Sequence, residues 1–415
     1  MTPRVLIVAG SDSGGGAGIQ ADIKTVTMLG GFATTAITAI TAQNTLGVDA
    51  VLAIPADMVL AQIDAVVSDI GVDSVKIGMI GSPETVEAVA DRLFSSFPRK
   101  RESSSEAGLD SRFRGNDGEG VPIVFDPVMV ATSGSVLADD ATIAAFERLM
   151  DVATLVTPNA PELGALTGRP VRDLGELESA ARALADRSGA AVLAKGGHLA
   201  GERLTDLLVA PGGEVCRWED DRIDSVHSHG TGCTLASAVA TGLAAGLPLR
   251  SAVATARLFV RMALREAPGF GGGHGPMGHQ RVRLDLPDRD GPTLNQVTLP
   301  AGDYEPSVAF YRLLGCRQIV ASPPRYARFE VPGGTTLSIE VREPADAPST
   351  TEHFFQCADV DAEVARLSRA GVVFDIMPED RDYLWRVAET RDPHGNRIRL
   401  YQTGEIRRFP PWRVD

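Results

Sequence analysis

The stretch His227–Gly246, HSHGTGCTLASAVATGLAAG, carries the strongest chemical signal in the chain. Gly230 and Gly232 free the backbone to bend, so that consecutive N–H groups can face one point. Thr231 or Cys233 then opens a helix whose first amides have no internal partner and whose dipole favours an anion. One reading is an anion hole with Cys233 in its mouth. The competing reading is a glycine turn before a core helix with an ordinary buried cysteine. Residues upstream bear on the choice. Asp126 and Glu162 are carboxylates close to Pro127 and Pro161, and Lys195 stands beside Gly196 and Gly197, where a cation can neutralise phosphate. Asp22 and Asp126 admit plainer roles, as an acidic residue in a first turn and an Asp capping a turn before a proline.

The elements that must position these groups alternate strand and helix. Arg4–Ala9 is a continuous apolar run that suits a buried parallel strand, and GSDSGGGAGIQADIKT follows as a glycine loop entering a helix. That loop fits neither the P-loop pattern nor the dinucleotide fingerprint. Strands are expected at 33–42, 51–54, 74–77, 122–125, 155–157 and 191–194, with helices at 57–70, 83–94 and 174–188. A hairpin is expected at 205–218 and two Ala-rich helices up to about residue 267. The class is α/β with a largely parallel sheet flanked by helices. Asp22, Gln43, Met79, Asp126, Asn159, Glu162, Lys195 and Cys233 all fall at or just past expected strand ends. Together they describe one edge of one sheet, where α/β folds bind ligands.

The bulk properties narrow the classes. A chain of 415 residues is too long for one small core, and its formal charge of −14 argues against a nucleic-acid or anionic-membrane partner. Cys216, Cys233, Cys316 and Cys357 include no close pair, which points to a reducing compartment rather than a structural zinc site. The apolar run near the start is too short for a membrane span, and a cytoplasmic protein is the expectation. Residues 95–120 are polar and charged and read as a flexible surface insertion.

The motifs AGSDSGGGAGIQADIKT, TAITAQNT, KIGMIGS, DPVM, TPNAPE, AKGGH and HGTGCTLASA stand in the order found in hydroxymethylpyrimidine and phosphomethylpyrimidine kinases of thiamine synthesis. Those kinases belong to the ribokinase-like superfamily, and the resemblance covers about residues 3–280, including GGGHGPMGH. The 95–120 insertion departs from it. The resemblance implies that ATP phosphorylates 4-amino-5-hydroxymethyl-2-methylpyrimidine and then its monophosphate. It implies that Gly10, Asp22, Gln43, Met79 and Val128 hold the pyrimidine, and that Asp126 and Glu162 arrange Mg²⁺. Lys195 would sit near the nucleotide phosphates with Asn159 alongside, and the amides of Gly230, Thr231, Gly232 and Cys233 would stabilise the transferred group. Cys233 stands where sugar kinases of the superfamily carry an Asp base, and its thiolate would take the alcohol proton, its pKa lowered by the helix N-terminus. A homodimer is implied as well. A pyridoxal-type kinase is the alternative, although such kinases usually have Asp at this position. A metabolite sensor with a regulated kinase half is another.

Residues 1–270 are thus expected to be the kinase domain, 271–292 a Gly- and Pro-rich linker, and 406–415 a tail. Between them a βαβββ pattern occurs twice. NQVTL, SVAFYRLLG, SIEV, EHFFQCADVD and RDPHGNRIRLYQ resemble the vicinal-oxygen-chelate (glyoxalase-like) family over residues 293–405. That family draws metal ligands from four strands, at positions that hold Gln296, Glu340, His353 and Arg399 here. Arg399 stands where the family usually has Glu and cannot ligate a metal. A Gln296–Glu340–His353 site, completed by water, is set against the reading that these face inward without metal, Glu340 pairing with Arg399. The metal-free reading, with the domain binding a small ligand or supporting the dimer, is preferred. A metal-dependent lyase or dioxygenase is the bifunctional alternative.

Overall fold

The apolar run after Pro3 forms the strand β1 (Arg4–Asp12), and its period-two alternation builds two cores at once. Val5, Ile7 and Ala9 join the core on one face, and Leu6 and Val8 the core on the other. The computed structural model describes residues 2–97, 120–130, 134, 137–282, 296–331, 335–342 and 347–403. The chain divides into two compact units, Met1–Leu284 and Asp285–Asp415.

In the first unit β1 is followed by α1 (Gly18–Met28), β2 (Phe32–Gln43), β3 (Val48–Ala53), α2 (Ala56–Asp69), β4 (Ser74–Ile77) and α3 (Pro83–Ser96). Next come β5 (Ile123–Phe125), α4 (Asp140–Val152), β6 (Leu155–Val156), α5 (Ala160–Thr167), α6 (Leu174–Ser188) and β7 (Ala191–Lys195). The unit closes with β8 (Arg203–Val209), β9 (Val215–Asp221), α7 (Thr231–Ala244) and α8 (Leu249–Arg265). The strands form one nine-stranded sheet in the order β3-β2-β1-β4-β5-β6-β7-β8-β9. It is parallel from β2 to β7 and antiparallel at both edges. Val59, Val86, Phe146, Leu163 and Leu177 cover one face from α2 to α6. Ile19, Val26, Leu235, Val239 and Val253 cover the other from α1, α7 and α8.

Two helices, α4 and α5, were absent from the sequence reading. Both are capped: Asp139 accepts from the Thr142 amide, and Asn159 and Glu162 form a reciprocal capping box. The expected linker begins later than residue 271. His229 pairs with Pro276, the Gly278 amide donates to Ala263, and Met277 and Val282 are buried beside Phe259. Most of the 95–120 insertion, residues 283–292 and the 406–415 tail lie outside the described residues.

The second unit repeats βαβββ. The first copy is β10 (Gln296–Ala301), α9 (Tyr304–Leu313), β11 (Arg317–Ser322), β12 (Tyr326–Glu330) and β13 (Thr336–Val341). The second is β14 (His353–Gln356), α10 (Val360–Arg369), β15 (Phe374–Asp380), β16 (Arg386–Arg391) and β17 (Arg397–Gln402). Each copy makes a four-stranded sheet, ordered β10-β13-β12-β11 and β14-β17-β16-β15. They share one core, in which Leu299, Tyr311 and Ile339 meet Val364, Ala388 and Leu400.

Candidate active site

Two glycine loops lock together at the carboxyl end of the sheet. Asp12, the last residue of β1, accepts from the amides of Gly14 (2.8 Å), Gly16 (2.9 Å) and Ala17 (2.7 Å) and so shapes the first loop. His229, in the second loop, brings Nε2 to 3.1 Å from Asp12 Oδ2 and 2.9 Å from the Gln43 carboxamide nitrogen. Burial alone would raise the Asp12 carboxyl. The His229 ring and the amides of Ala17 and Gly14 outweigh it and hold the group below its ordinary value. The backbones touch: a Cβ on Gly230, whose φ is +84°, would lie 2.0 Å from the Gly16 carbonyl oxygen. Neither Asp12 nor His229 was singled out from the sequence, although both lie inside quoted motifs.

These loops wall a cavity of about 1290 Å³. Gly10, Gln43, Met79, Val128, Asp126, Asn159, Glu162, Lys195, Gly230, Thr231, Gly232 and Cys233 all line it. Gly230 caps α7, and the first turn of that helix faces the opening.

The expected lowering of the Cys233 pKa is not what the surroundings produce. Burial pushes the thiol up to about 11. The Lys76 ammonium and the Gly18 amide pull it down, and Asp22 and Asp126 push it up again. The helix ends are a local, favourable effect; desolvation and two carboxylates from elsewhere in the chain outweigh them.

Asp126 lies past β5, where its Oδ1 accepts from Lys195 Nζ (2.9 Å) and Thr157 Oγ1 (2.8 Å). Glu162 Oε2 is 4.0 Å from the same ammonium. Burial raises Glu162 to about 7, with Asp126 adding to the rise and Lys195 opposing it. Burial would lower Lys195, but Asp126 and Glu162 keep it above its ordinary value and charged. Asn159 accepts from the Glu162 amide and Glu162 accepts from the Asn159 amide, so both side chains are held by the α5 cap before any ligand enters. His198, also on the cavity wall, is lowered by burial and by Lys195 and Arg222. Among the described residues no group of three or more His, Cys, Asp or Glu forms a ready metal cage.

Asp22 departs from expectation. It is not on the cavity wall but fully buried in α1, paired with Lys76 at 2.8 Å and accepting from Ser237 Oγ at 2.7 Å. It therefore touches protein, not a ligand. Lys76 was missed; its signal was a lysine between Val75 and Ile77 in a buried strand.

The four strand positions of the second unit do not converge. Phe354 pairs with Arg399 and His353 with Ile398, so the pleat sends His353 and Arg399 to opposite faces of their sheet. Gln296 pairs with Thr336 and Pro300 with Glu340, which separates Gln296 and Glu340 by about 13 Å along the ladder. Glu340 pairs with Arg342, not with Arg399, which instead binds Glu352 (2.8 Å) and Glu389 (3.0 Å). The ordering of residues along the strands, rather than their types, excludes a shared Gln296–Glu340–His353 site.

A largely parallel sheet that gathers the Gly230–Cys233 turn, Lys195, Asp126 and Glu162 on one cavity is the architecture of a ribokinase-like kinase. The first unit superposes on the pyridoxal kinase of Bacillus subtilis in its ADP complex with a TM-score of 0.59 and 29% identity, covering 69% of this chain and 100% of that one. Residues 12–101 and 114–278 match the phosphomethylpyrimidine kinase family, and the chain belongs to it. A hydroxymethylpyrimidine/phosphomethylpyrimidine kinase of Rhizobium meliloti is 45% identical over 283 residues, 67% of this chain and 97% of that protein. A thiamine biosynthesis bifunctional protein of Geobacter sulfurreducens is 45% identical over 286 residues; the match spans 69% of this chain but 54% of that protein. Residues 293–400 match the glyoxalase/bleomycin resistance protein/dioxygenase superfamily. No helix among the described residues is long and apolar enough to cross a membrane.

Proposed function

We propose that the first unit phosphorylates the hydroxymethyl group of 4-amino-5-hydroxymethyl-2-methylpyrimidine with ATP, and then phosphorylates the resulting monophosphate to the diphosphate. The observation that carries this reading is the meeting of the Gly230–Cys233 turn, Lys195, Asp126 and Glu162 on the cavity that Gln43 and Met79 also line. Gln43 offers a donor and an acceptor to an aminopyrimidine edge, and Met79 gives an adaptable apolar wall.

In the first transfer the alcohol oxygen bonds to the γ-phosphorus. The bond from that phosphorus to the bridging oxygen breaks, and the electron pair leaves on ADP. The alcohol proton passes to Cys233 Sγ in the fraction of molecules where that sulfur is a thiolate, and from the resulting thiol to water. The amides at the start of α7 and the Lys195 ammonium meet the charge that spreads over the transferred group. Asp126 and Glu162 suit Mg²⁺, which takes one or two carboxylates together with phosphate oxygens and water. When bound, the ion would neutralise phosphate charge. In the second transfer the attacking oxygen belongs to a phosphate and is already anionic, so Cys233 has no proton to take.

The partner is a second copy of the chain. Val51 and Leu52 of the edge strand β3 are half or more exposed and Ile40 of β2 nearly half, an apolar edge that pairing would cover. The second unit is read as a small-ligand domain, supported by the half-exposed Phe354 beside Trp385 and Tyr401, which stack at 4.7 Å.

The test is ADP release by the full chain with Mg²⁺ and ATP, offering the pyrimidine alcohol, its monophosphate or pyridoxal. Turnover on both pyrimidines supports the proposal. A preference for pyridoxal, the substrate of the kinase it superposes on, refutes it in favour of that activity.

A further inference from the structure

His229 stands beside a group that fixes where its proton lies. Asp12 is a charged carboxylate, held by the amides of Gly14, Gly16 and Ala17, and can only accept. Its Oδ2 is 3.1 Å from His229 Nε2, so Nε2 carries a proton and donates it there. The ring has little room to turn away. It is buried, its backbone amide donates to the Gly275 carbonyl at 3.3 Å, and a Cβ on Gly16 would come within 2.6 Å of its Cδ2.

Gln43 meets the same proton. Its carboxamide nitrogen lies 2.9 Å from His229 Nε2 and its oxygen 3.3 Å from Thr41 Oγ1. Neither contact balances. A protonated Nε2 cannot accept from an amide nitrogen, and the single hydroxyl proton of Thr41 already goes to the Ser11 carbonyl at 2.8 Å. A half-turn of the carboxamide, which keeps its shape, resolves both at once. Its oxygen then accepts from His229 and its nitrogen donates to Thr41. Asp12, Thr41, Gln43 and His229 all line the cavity, so one N–H and one lone pair of Gln43 remain for a ligand in a fixed order.

We propose that His229 is a positioning residue that fixes the donor–acceptor order of Gln43 and thereby selects an aminopyrimidine edge over its oxo counterpart. This rests on reading the cavity as a pyrimidine kinase site. A 4-aminopyrimidine has a ring nitrogen that accepts beside an amine that donates. A 4-oxopyrimidine has a ring N–H beside a carbonyl, the reverse order. With the alcohol held at the anion hole, the amine meets the Gln43 oxygen on the His229 side, whereas the oxo edge leaves polar groups mispaired.

Wild type is compared with His229→Gln, whose amide still donates, and with His229→Met, which has no donor. Asp12 keeps the amides of Gly14, Gly16 and Ala17 in either variant, so its charge is not stranded. Nitrogen NMR of the histidine-labelled full chain without substrate, with His229 identified by its loss in His229→Gln, reports whether Nε2 carries a proton at neutral pH. ADP release with Mg²⁺ and ATP gives kcat/KM for 4-amino-5-hydroxymethyl-2-methylpyrimidine and for its 4-oxo analogue.

Nε2 is expected to be protonated. Wild type is expected to prefer the amino acceptor by about 100-fold or more, a ratio kept within about threefold in His229→Gln and reduced to about tenfold or less in His229→Met. Each ratio is read within one protein, so a general loss of activity does not move it. An unprotonated Nε2, no preference in wild type, an unchanged ratio in folded His229→Met, or an equal fall in both variants overturns the proposal. If wild type releases no ADP with either pyrimidine while Nε2 is protonated, the kinase reading fails and the orientation of Gln43 stands. If His229→Met does not fold, Thr41→Val replaces it by removing the acceptor at the other end of Gln43: a lowered ratio supports the proposal and an unchanged one overturns it.

Discussion

Replacing Gly230 by alanine tests whether the docking of the two glycine loops creates the anion hole. The backbone at Gly230 has φ of +84°, a region that costs an L-residue about 1–2 kcal/mol. The new Cβ would also lie 2.0 Å from the Gly16 carbonyl oxygen, against an ordinary C···O contact of about 3.3 Å. The loops must part by roughly 1 Å, since Asp12 holds the Ala17 amide, which shares a peptide plane with the Gly16 carbonyl, at 2.7 Å and prevents that carbonyl from simply rotating away. A displacement of this size at a reacting centre costs about 100-fold in rate, and loss of one oxyanion donor costs about 10²–10³. Gly230→Ala is therefore expected to lower kcat by at least about 100-fold and stability by about 2–3 kcal/mol, which is a Tm lower by roughly 4–10 °C for a unit of this size. ADP release and thermal unfolding by circular dichroism read the two effects separately. Gly47→Ala is the control, because nothing lies within 4 Å of its Cβ position and its φ is not positive. Turnover of a folded Gly230→Ala protein within about threefold of wild type would refute the reasoning, since the predicted loop separation would then have no bearing on the chemistry.

Other expectations follow from single groups. Because Cys233 is pushed up to about 11, kcat for the alcohol should climb close to tenfold per pH unit between pH 7 and 9, and a flat profile would exclude a thiolate base. Cys233→Ala should cost about 10²–10³-fold on the alcohol but much less on the monophosphate, whose oxygen is already anionic; equal losses on both acceptors would assign the residue to the anion hole alone. His279, buried against Thr234, is lowered to about 4 chiefly by desolvation, so the unfolded chain binds the extra proton between about pH 4 and 6.5. Its contribution to stability is complete above about pH 6.5 and should fall by roughly 2 kcal/mol from pH 7 to 5, measured by urea unfolding. His279→Gln should flatten that slope. In the second unit, equilibrium dialysis with Mn²⁺ or Zn²⁺ should give the same binding for wild type and His353→Ala, and metal lost specifically in the variant would contradict the diverging strand positions.

What the sequence reveals depends on the range of the physics involved. β4 and α6 run over the residues expected of them, Ser74–Ile77 and Leu174–Ser188, because apolar periodicity, the Asp173 cap and the left-handed Gly189 are all local signals. Cavity residues were readable for a related reason: ligand groups in a parallel sheet gather at strand ends, and Asp126 stands just past β5, Lys195 ends β7 and Glu162 lies in the helix that follows β6. Asp22 was misread because its partner is Lys76, 54 positions away and on a different element, and no pattern within α1 announces that pairing. The same limit produced the wrong direction for Cys233. A helix N-terminus is visible in HGTGCT, whereas the desolvation that prevails over it belongs to the closed sheet, with Asp22 and Asp126 adding to it. In the second unit the βαβββ repeat is local and was read directly, but a metal site needs side chains on one face at one height. Pleat parity sends His353 away from Arg399, and four steps of register carry Glu340 away from Gln296. Composition cannot report either quantity. The residues most open to misreading are thus the charged ones, since a carboxylate at a strand end serves a ligand or a buried lysine equally well until the fold brings one of them near.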